Sequence, residues 1–193
     1  MKIRVVVALL SAVLLSACGL NSVPTAEENA KAKWAEVQNQ YQRRADLIPN
    51  LVATVRGAGA QEKDILVQVT NARASASKIQ VTNADLTDPA KLAAFEQAQA
   101  GVTLSLQRLQ EAYPELKSQQ NYATLMTQLE GTENRIGIAR RDYNEAVQAY
   151  NTRIRTFPDA IGAKIFYGAK PMVPFQAKPG ADNAPTVNFG NGS

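Results

Sequence analysis

The chain has 193 residues, 45% hydrophobic but only 6% aromatic, with one Trp, no His and one Cys. That allows one domain, or one domain plus a tail, around a mostly aliphatic and Ala-rich core; it excludes Ser-His-Asp and Cys-His nucleophile pairs, an ordinary structural zinc site and an internal disulfide. The formal charge is +4, and the two positives Lys2 and Arg4 precede Cys18, so the remainder carries +2, too balanced to suggest a nucleic-acid partner.

Lys2 and Arg4 precede an apolar run from Val5 to Leu15, interrupted only by Ser11. The run is too short to cross a bilayer core, which takes about 20 helical residues. It matches the hydrophobic region of an export signal over residues 1–17. Leu15-Ser16-Ala17-Cys18-Gly19 resembles the lipobox of bacterial lipoproteins. That resemblance implies cleavage before Cys18, a diacylglycerol on its thiol and an acyl chain such as palmitate on the new amine. Each buried CH₂ would add about 0.8 kcal/mol to the anchoring. An ordinary secretory cut after Gly19, with Ala17 upstream, is the alternative. Gly19 in place of Asp favours the outer membrane if the cell has two, with the body on the periplasmic side.

Residues 18–24 read as a lipidated polar tether, 25–168 as a helical body and 169–193 as an extended or disordered tail. Thr25 to Glu28 fits a capping box that would start the first helix, and Trp34, Val37 and Tyr41 recur at helical spacing. Asp46 is a candidate cap for a second helix, with Pro49 in its first turn and Leu51, Val55, Ile65, Val69, Ala72, Ala76 and Ile79 along it. One long helix kinked at Pro49 satisfies the spacing equally, but places Arg44 and Glu62 on the apolar seam. Val81 to Thr87 reads as a polar connection. Asp88-Pro89 opens a third helix that carries Leu92, Phe95, Val102, Leu106 and Leu109 and stops at Tyr113-Pro114. A last helix between Pro114 and Pro158 carries a stripe from Tyr122 through Leu129, Ile136, Tyr143, Val147 and Tyr150 to Phe157. A stripe that long needs partners. The economical solution is all-α: an antiparallel up-and-down four-helix bundle with long helices, plus an extended C-terminal tail. Four of the nine prolines follow residue 170, with Gly180, Gly190 and Gly192, which marks that end as tail and not core.

No residue pattern here carries obvious chemistry. Di-iron bundles need Glu-x-x-His motifs and the chain has no His. Gly57-Ala58-Gly59 lacks the rest of a phosphate loop. Carboxylates such as Glu96, Glu111, Glu130 and Glu133 read as solvated helix faces, and the arginines as their partners. Neither a cofactor nor a metal is expected. Tyr143-Asn144 and Tyr150-Asn151 repeat seven residues apart on one helical face. With Glu133, Asn134 and Arg140 they are the candidate surface for a partner or ligand, against the alternative of packing and register control.

Several stretches resemble the LemA family. They are Trp34 and Gln40 to Val52 with Thr54-Val55-Arg56, Glu111 to Lys117, Glu130 to Ile136, Ala139 to Val147, Tyr150-Asn151 and Phe157-Pro158. The resemblance covers roughly residues 30–176, including Pro171 to Phe175. It implies a membrane-tied up-and-down four-helix bundle without established catalytic activity, and favours a helix break near Asp46. Some relatives take part in building specialised bacterial membranes. Many begin with a full transmembrane helix, from which this chain departs with its lipidated cysteine. The expected function is a non-catalytic, lipid-anchored scaffold or adaptor, attached to the membrane through acylated Cys18 and binding an envelope protein. The alternative is a small-molecule or lipid-binding module that uses a groove between helices lined by Tyr143, Tyr150 and Arg140.

Overall fold

The computed structural model describes residues 21–59 and 62–176. The export signal, Cys18 and the tail beyond residue 176 lie outside the described residues. The body is all-helical. It comprises α1 (Ser22–Gly57), α2 (Lys63–Lys78), α3 (Pro89–Ala112), α4 (Gln120–Arg153) and the short α5 (Asp159–Ile165), with 3-10 turns at Asn83–Thr87 and Pro114–Ser118. No strand occurs among the described residues.

The expected helix break at Asp46 is absent, and α1 runs unbroken through Pro49. Proline lacks the N–H that would bond the carbonyl four residues back. That carbonyl belongs to Ala45, and it accepts instead from Nε of Arg73 on α2, at 2.7 Å. Asp46 caps nothing; it accepts from the Gln42 amide at 2.7 Å. The chain breaks later, at Gly57 to Gly59, where Gly59 takes φ +85°, a left-handed conformation cheap only for glycine. The apolar residues expected on one second helix are thus divided. Leu51 and Val55 complete the buried stripe of α1, while Val69 and Ala76 belong to α2.

The start of α1 also differs from expectation. Ser22 to Pro24, read as tether, form its first turn. Thr25 donates to the Asn21 carbonyl at 2.7 Å, and Glu28 pairs with Lys31 at 2.7 Å, so the expected capping box is not made. Asp88 does cap α3: its carboxylate accepts from the N–H groups of Ala90 at 2.9 Å and Lys91 at 3.3 Å. The connection before it is not merely polar, since Val81 and Leu86 are buried in the core. The long stripe of α4 is buried from Tyr122 to Tyr150. Phe157, expected at its end, is 82% exposed because the helix stops at Arg153.

The core forms two clusters along α1. One gathers Trp34, Val37, Phe95, Tyr143, Val147, Tyr150 and Phe175. The other gathers Ile48, Leu51, Val55, Leu66, Leu109, Tyr122 and Leu129. α1 packs chiefly on α4, and α2 on α3. Between α1 and α4, Lys33 meets Asp142 at 3.6 Å and Arg44 meets Glu133 at 2.8 Å.

Candidate functional site

After α5 the chain turns at Gly168, whose φ is +54°, and the Ala169 N–H donates to the Ala163 carbonyl at 3.0 Å. Residues 169–176 then run without regular secondary structure along the body. This corrects their reading as tail: Met172 and Phe175 are 5% and 6% exposed and belong to the core. Phe175 stacks on Trp34 at 5.7 Å and meets the Tyr143 ring edge-on at 5.4 Å.

The polar face of α4 holds this segment by its backbone. The Asn151 side chain donates to the Met172 carbonyl at 2.8 Å and accepts from the Met172 N–H at 2.9 Å. Asn144 does the same for Phe175, at 3.0 and 2.8 Å. The Tyr143 hydroxyl donates to the Val173 carbonyl at 3.0 Å. The Val173 N–H donates to the Leu86 carbonyl at 2.9 Å. Pro171 and Pro174 have no N–H to satisfy, so every backbone donor from 171 to 175 has a partner, as burial requires.

The repeat of seven has a geometric reason. Seven helical residues rise about 10.5 Å, and three extended residues span about 10 Å. Asn144 and Asn151 therefore match Phe175 and Met172, three residues apart. A side-chain amide carries both donor and acceptor, as a strand partner does. Burial pushes the Tyr143 hydroxyl far above the usual tyrosine range, which keeps it a donor. Tyr150 is buried in the same core cluster as Met172 and Phe175.

Arg140 closes the far end. Its guanidinium donates to Glu96 on α3 at 2.7 Å and to the Gln176 carbonyl at 3.5 Å, and lies 4.4 Å from the centre of the Phe175 ring. Burial raises the Glu96 carboxyl above the ordinary glutamate value, with Arg140 opposing. Glu133 belongs to a second arrangement around Arg44, which is 3% exposed. Arg44 donates to Glu133 at 2.8 Å, to Thr103 at 3.0 Å, and to the Gln99 side chain and carbonyl at 2.7 and 3.1 Å. Its position on the apolar seam argues in sequence against a continuous α1, yet a guanidinium there is tolerable once its donors are matched. Asn134 is exposed and joins neither arrangement.

A cleft of about 320 Å³ lies between the two, lined by Tyr41, Arg44, Glu96, Gln99, Glu133 and Arg140. Its arginines and glutamates are tied to each other. Among the described residues no cluster of His, Cys, Asp and Glu could hold a metal, and no helix is long and apolar enough to cross a membrane. Sequence reasoning singled out Tyr143, Asn144, Tyr150 and Asn151 as a set, and the structure brings Tyr143, Asn144 and Asn151 against the segment 171–175, with Tyr150 in the same core cluster. It missed Met172 and Phe175, whose available signal was a hydrophobic pair three apart beside the prolines, and it took Arg44 on the apolar seam only as an argument against a continuous helix.

The LemA family profile matches residues 33–189. The chain belongs to the LemA family. The match takes in the held segment, so Met172 and Phe175 lie within the family domain. Among curated relatives, magnetosome proteins MamQ 1 and MamQ 2 of Paramagnetospirillum magneticum strain AMB-1 are each 30% identical over 181 residues, covering 84% of this chain and 66% of theirs. MamQ of Magnetospirillum gryphiswaldense strain MSR-1 is 29% identical with the same coverage. The chain thus spans just under two thirds of the length of these relatives.

Proposed function

We propose that this LemA family protein is a membrane-anchored, non-catalytic scaffold: an antiparallel up-and-down four-helix bundle attached through a lipid on Cys18 and presenting its sides to an envelope protein. The observation that carries the reading is the continuity of α1. It begins at Ser22, four residues after Cys18, and runs 36 residues without a break. A helix of that length extends about 54 Å, so a membrane attachment at its start would hold a stiff post, not a bead on a flexible string. The pairing of Lys33 with Asp142 and Arg44 with Glu133 supports the opposed direction of α1 and α4. The likeness to magnetosome proteins supports a place at a membrane. The body would stand outside the cytoplasm, on the outer membrane if the cell has two.

The charged side chains fit this role, because Glu96 and Glu133 are each engaged by an arginine that ties two helices together. Of the groove expected to take a small ligand between Tyr143, Tyr150 and Arg140, the part at Tyr143 and Tyr150 shares its core with the chain's own Met172 and Phe175, while Arg140 lines the cleft of about 320 Å³. Two experiments test the reading. A Cys18→Ala variant should leave the membrane fraction; if it stays there entirely, the lipid attachment is wrong. Crosslinking in intact cells at native expression should enrich one envelope protein, and recovery of only the isolated chain would refute the scaffold role.

A further inference from the structure

Helix α5 is arranged inside out. Its small residues Gly162 and Ala163 are buried, while Ile161 and Ile165 are 53% and 69% exposed. Phe157 just before it is 82% exposed, and Phe166 and Tyr167 just after it are 68% and 43% exposed. Among the described residues the other large exposed hydrophobics, Val67, Leu104 and Ile138, lie singly on three different helices. Scattered apolar residues need no explanation, but five within the eleven positions 157–167, with Phe157, Ile161 and Ile165 spaced four apart, are a concentration that does.

The place of the patch identifies what covers it. α5 packs on α1, and Ala163 shares a core cluster with Val23 in the first turn of α1. Near the end of α4, Tyr150 lies in the field of Glu27 and Lys31. With α4 running opposite to α1, the patch therefore sits at the pole where α1 begins, four residues after Cys18 in the sequence. On α1 at this pole Lys31 pairs with Glu27 at 2.8 Å and Glu28 at 2.7 Å, while the charges that follow α4 are mostly positive. Between residues 154 and 176 the sequence has Arg155, Lys164 and Lys170, and one acid, Asp159, which pairs with Arg153 at 3.4 Å. Aromatic rings and isoleucines with basic residues beside them suit the boundary between acyl chains and anionic headgroups.

We infer that Phe157, Ile161, Ile165, Phe166 and Tyr167 form an interfacial foot that embeds in an anionic phospholipid surface beside the N-terminal attachment. The inference rests on the membrane reading above and adds to it. A single attachment leaves the body free to swivel; a second contact at the same pole fixes the axis of α1 relative to the bilayer and sets which sides face a partner.

The test uses the full chain carrying Phe166→Trp in vesicles of phosphatidylcholine with a minority of phosphatidylglycerol, with and without bromine on the acyl chains. Trp34, 1% exposed in the core, supplies a constant background. Leu104→Trp is the control: Leu104 is 49% exposed, and its neighbour Thr103 bonds Arg44, roughly 33 Å along α1 from Ser22. In chains that float with the vesicles, bromine should quench the added indole of the Phe166→Trp chain and leave that of the Leu104→Trp chain unchanged. Floating chains quenched no more in the first variant than in the second would overturn the foot alone. Chains that do not float at all would overturn the membrane reading with it. An unquenched indole in the Phe166→Trp chain, with concentration-dependent dimers abolished by Ile161→Asp and Ile165→Asp, would assign the patch to a second copy of the chain and overturn the lipid contact. Unchanged helical circular dichroism shows that each variant is folded.

Discussion

The Nε of Arg73 donates to the carbonyl of Ala45 at 2.7 Å, the carbonyl that Pro49 leaves without an intrahelical donor. The contact explains how α1 stays continuous through a proline, and it makes Arg73 and Pro49 interdependent. In otherwise unchanged protein, Arg73→Met should cost about 1–3 kcal/mol, because a partly buried acceptor loses its donor. In a Pro49→Ala background, the new alanine supplies its own N–H to the Ala45 carbonyl, and the same Arg73 substitution should cost markedly less. Urea unfolding of the four proteins measures the coupling. Strictly additive effects would show that the guanidinium does not replace the missing helical bond.

The two asparagines on α4 should each matter to the segment they hold. Asn144→Ala and Asn151→Ala each remove two hydrogen bonds to backbone, and each should destabilise by about 1–3 kcal/mol. Amide hydrogen exchange gives the local readout. Exchange at Phe175 should accelerate in the Asn144 variant and at Met172 in the Asn151 variant, before α4 itself loosens.

A chain stopped after Lys170 removes residues that the composition marks as tail. It should nevertheless lose stability, because it takes Met172 and Phe175 out of the core. Phe175→Ala alone should cost about 3–5 kcal/mol, since the ring packs between Trp34, Tyr143 and the Arg140 guanidinium. Thermal melting of the shortened chain, the Phe175 variant and a chain stopped after Gln176 separates the two regions. Only the first two should melt lower.

The Arg44 cluster is asymmetric. Arg44 is 3% exposed, whereas the Glu133 side chain is 49% exposed. Arg44→Ala should cost about 2–3 kcal/mol through the lost charge-assisted bonds to Gln99 and Thr103. Glu133→Gln should cost about 1 kcal/mol or less, because water reaches that side of the pair. Equal costs in denaturant titration would mean that the ion pair, and not the full set of donors, is what matters at Arg44.

Four tyrosines give the fold an alkaline limit. Burial raises the hydroxyls of Tyr41, Tyr122, Tyr143 and Tyr150 above the ordinary value of 10.0. The unfolded chain ionises at that ordinary value while the folded chain still holds its protons. The contribution to stability is therefore complete below the ordinary value and is lost as pH rises through the higher folded values. The melting temperature should fall steeply above about pH 10, and Tyr143→Phe should make the fall shallower. A flat profile there would contradict the protonated, buried state of these rings.

Much of this fold is legible in local sequence, where the governing interactions are local. Asp88-Pro89 starts α3 because cap and first turn are set by neighbouring residues, and Tyr113-Pro114 stops it by a clash with the next ring. The stripe from Tyr122 to Tyr150 declares one buried face of α4. The repeat of Tyr143-Asn144 in Tyr150-Asn151 marks the site, although not its occupant. Pro49 misleads for a definite reason: whether a helix survives an interior proline depends on a donor from elsewhere, and Arg73 lies 28 residues from the carbonyl it serves. Arg44 misleads likewise, since a charge on an apolar seam is acceptable only when α3 and α4 bring Gln99, Thr103 and Glu133 to it.

By itself the sequence determined an all-helical chain, its family, the lack of histidine chemistry and an apolar, cysteine-bearing N-terminus, because composition and helical period, with the family's own stretches, suffice for these. Only the tertiary structure decided that Met172 and Phe175 are core, that Asn144 and Asn151 hold backbone, and that α5 turns its isoleucines outward at the pole where the N-terminal segment joins. Those outcomes depend on which surfaces meet across distant sequence, from 21 residues between Asn151 and Met172 to the far wider gap between Trp34 and Phe175, and no local propensity records a partner that folding alone supplies.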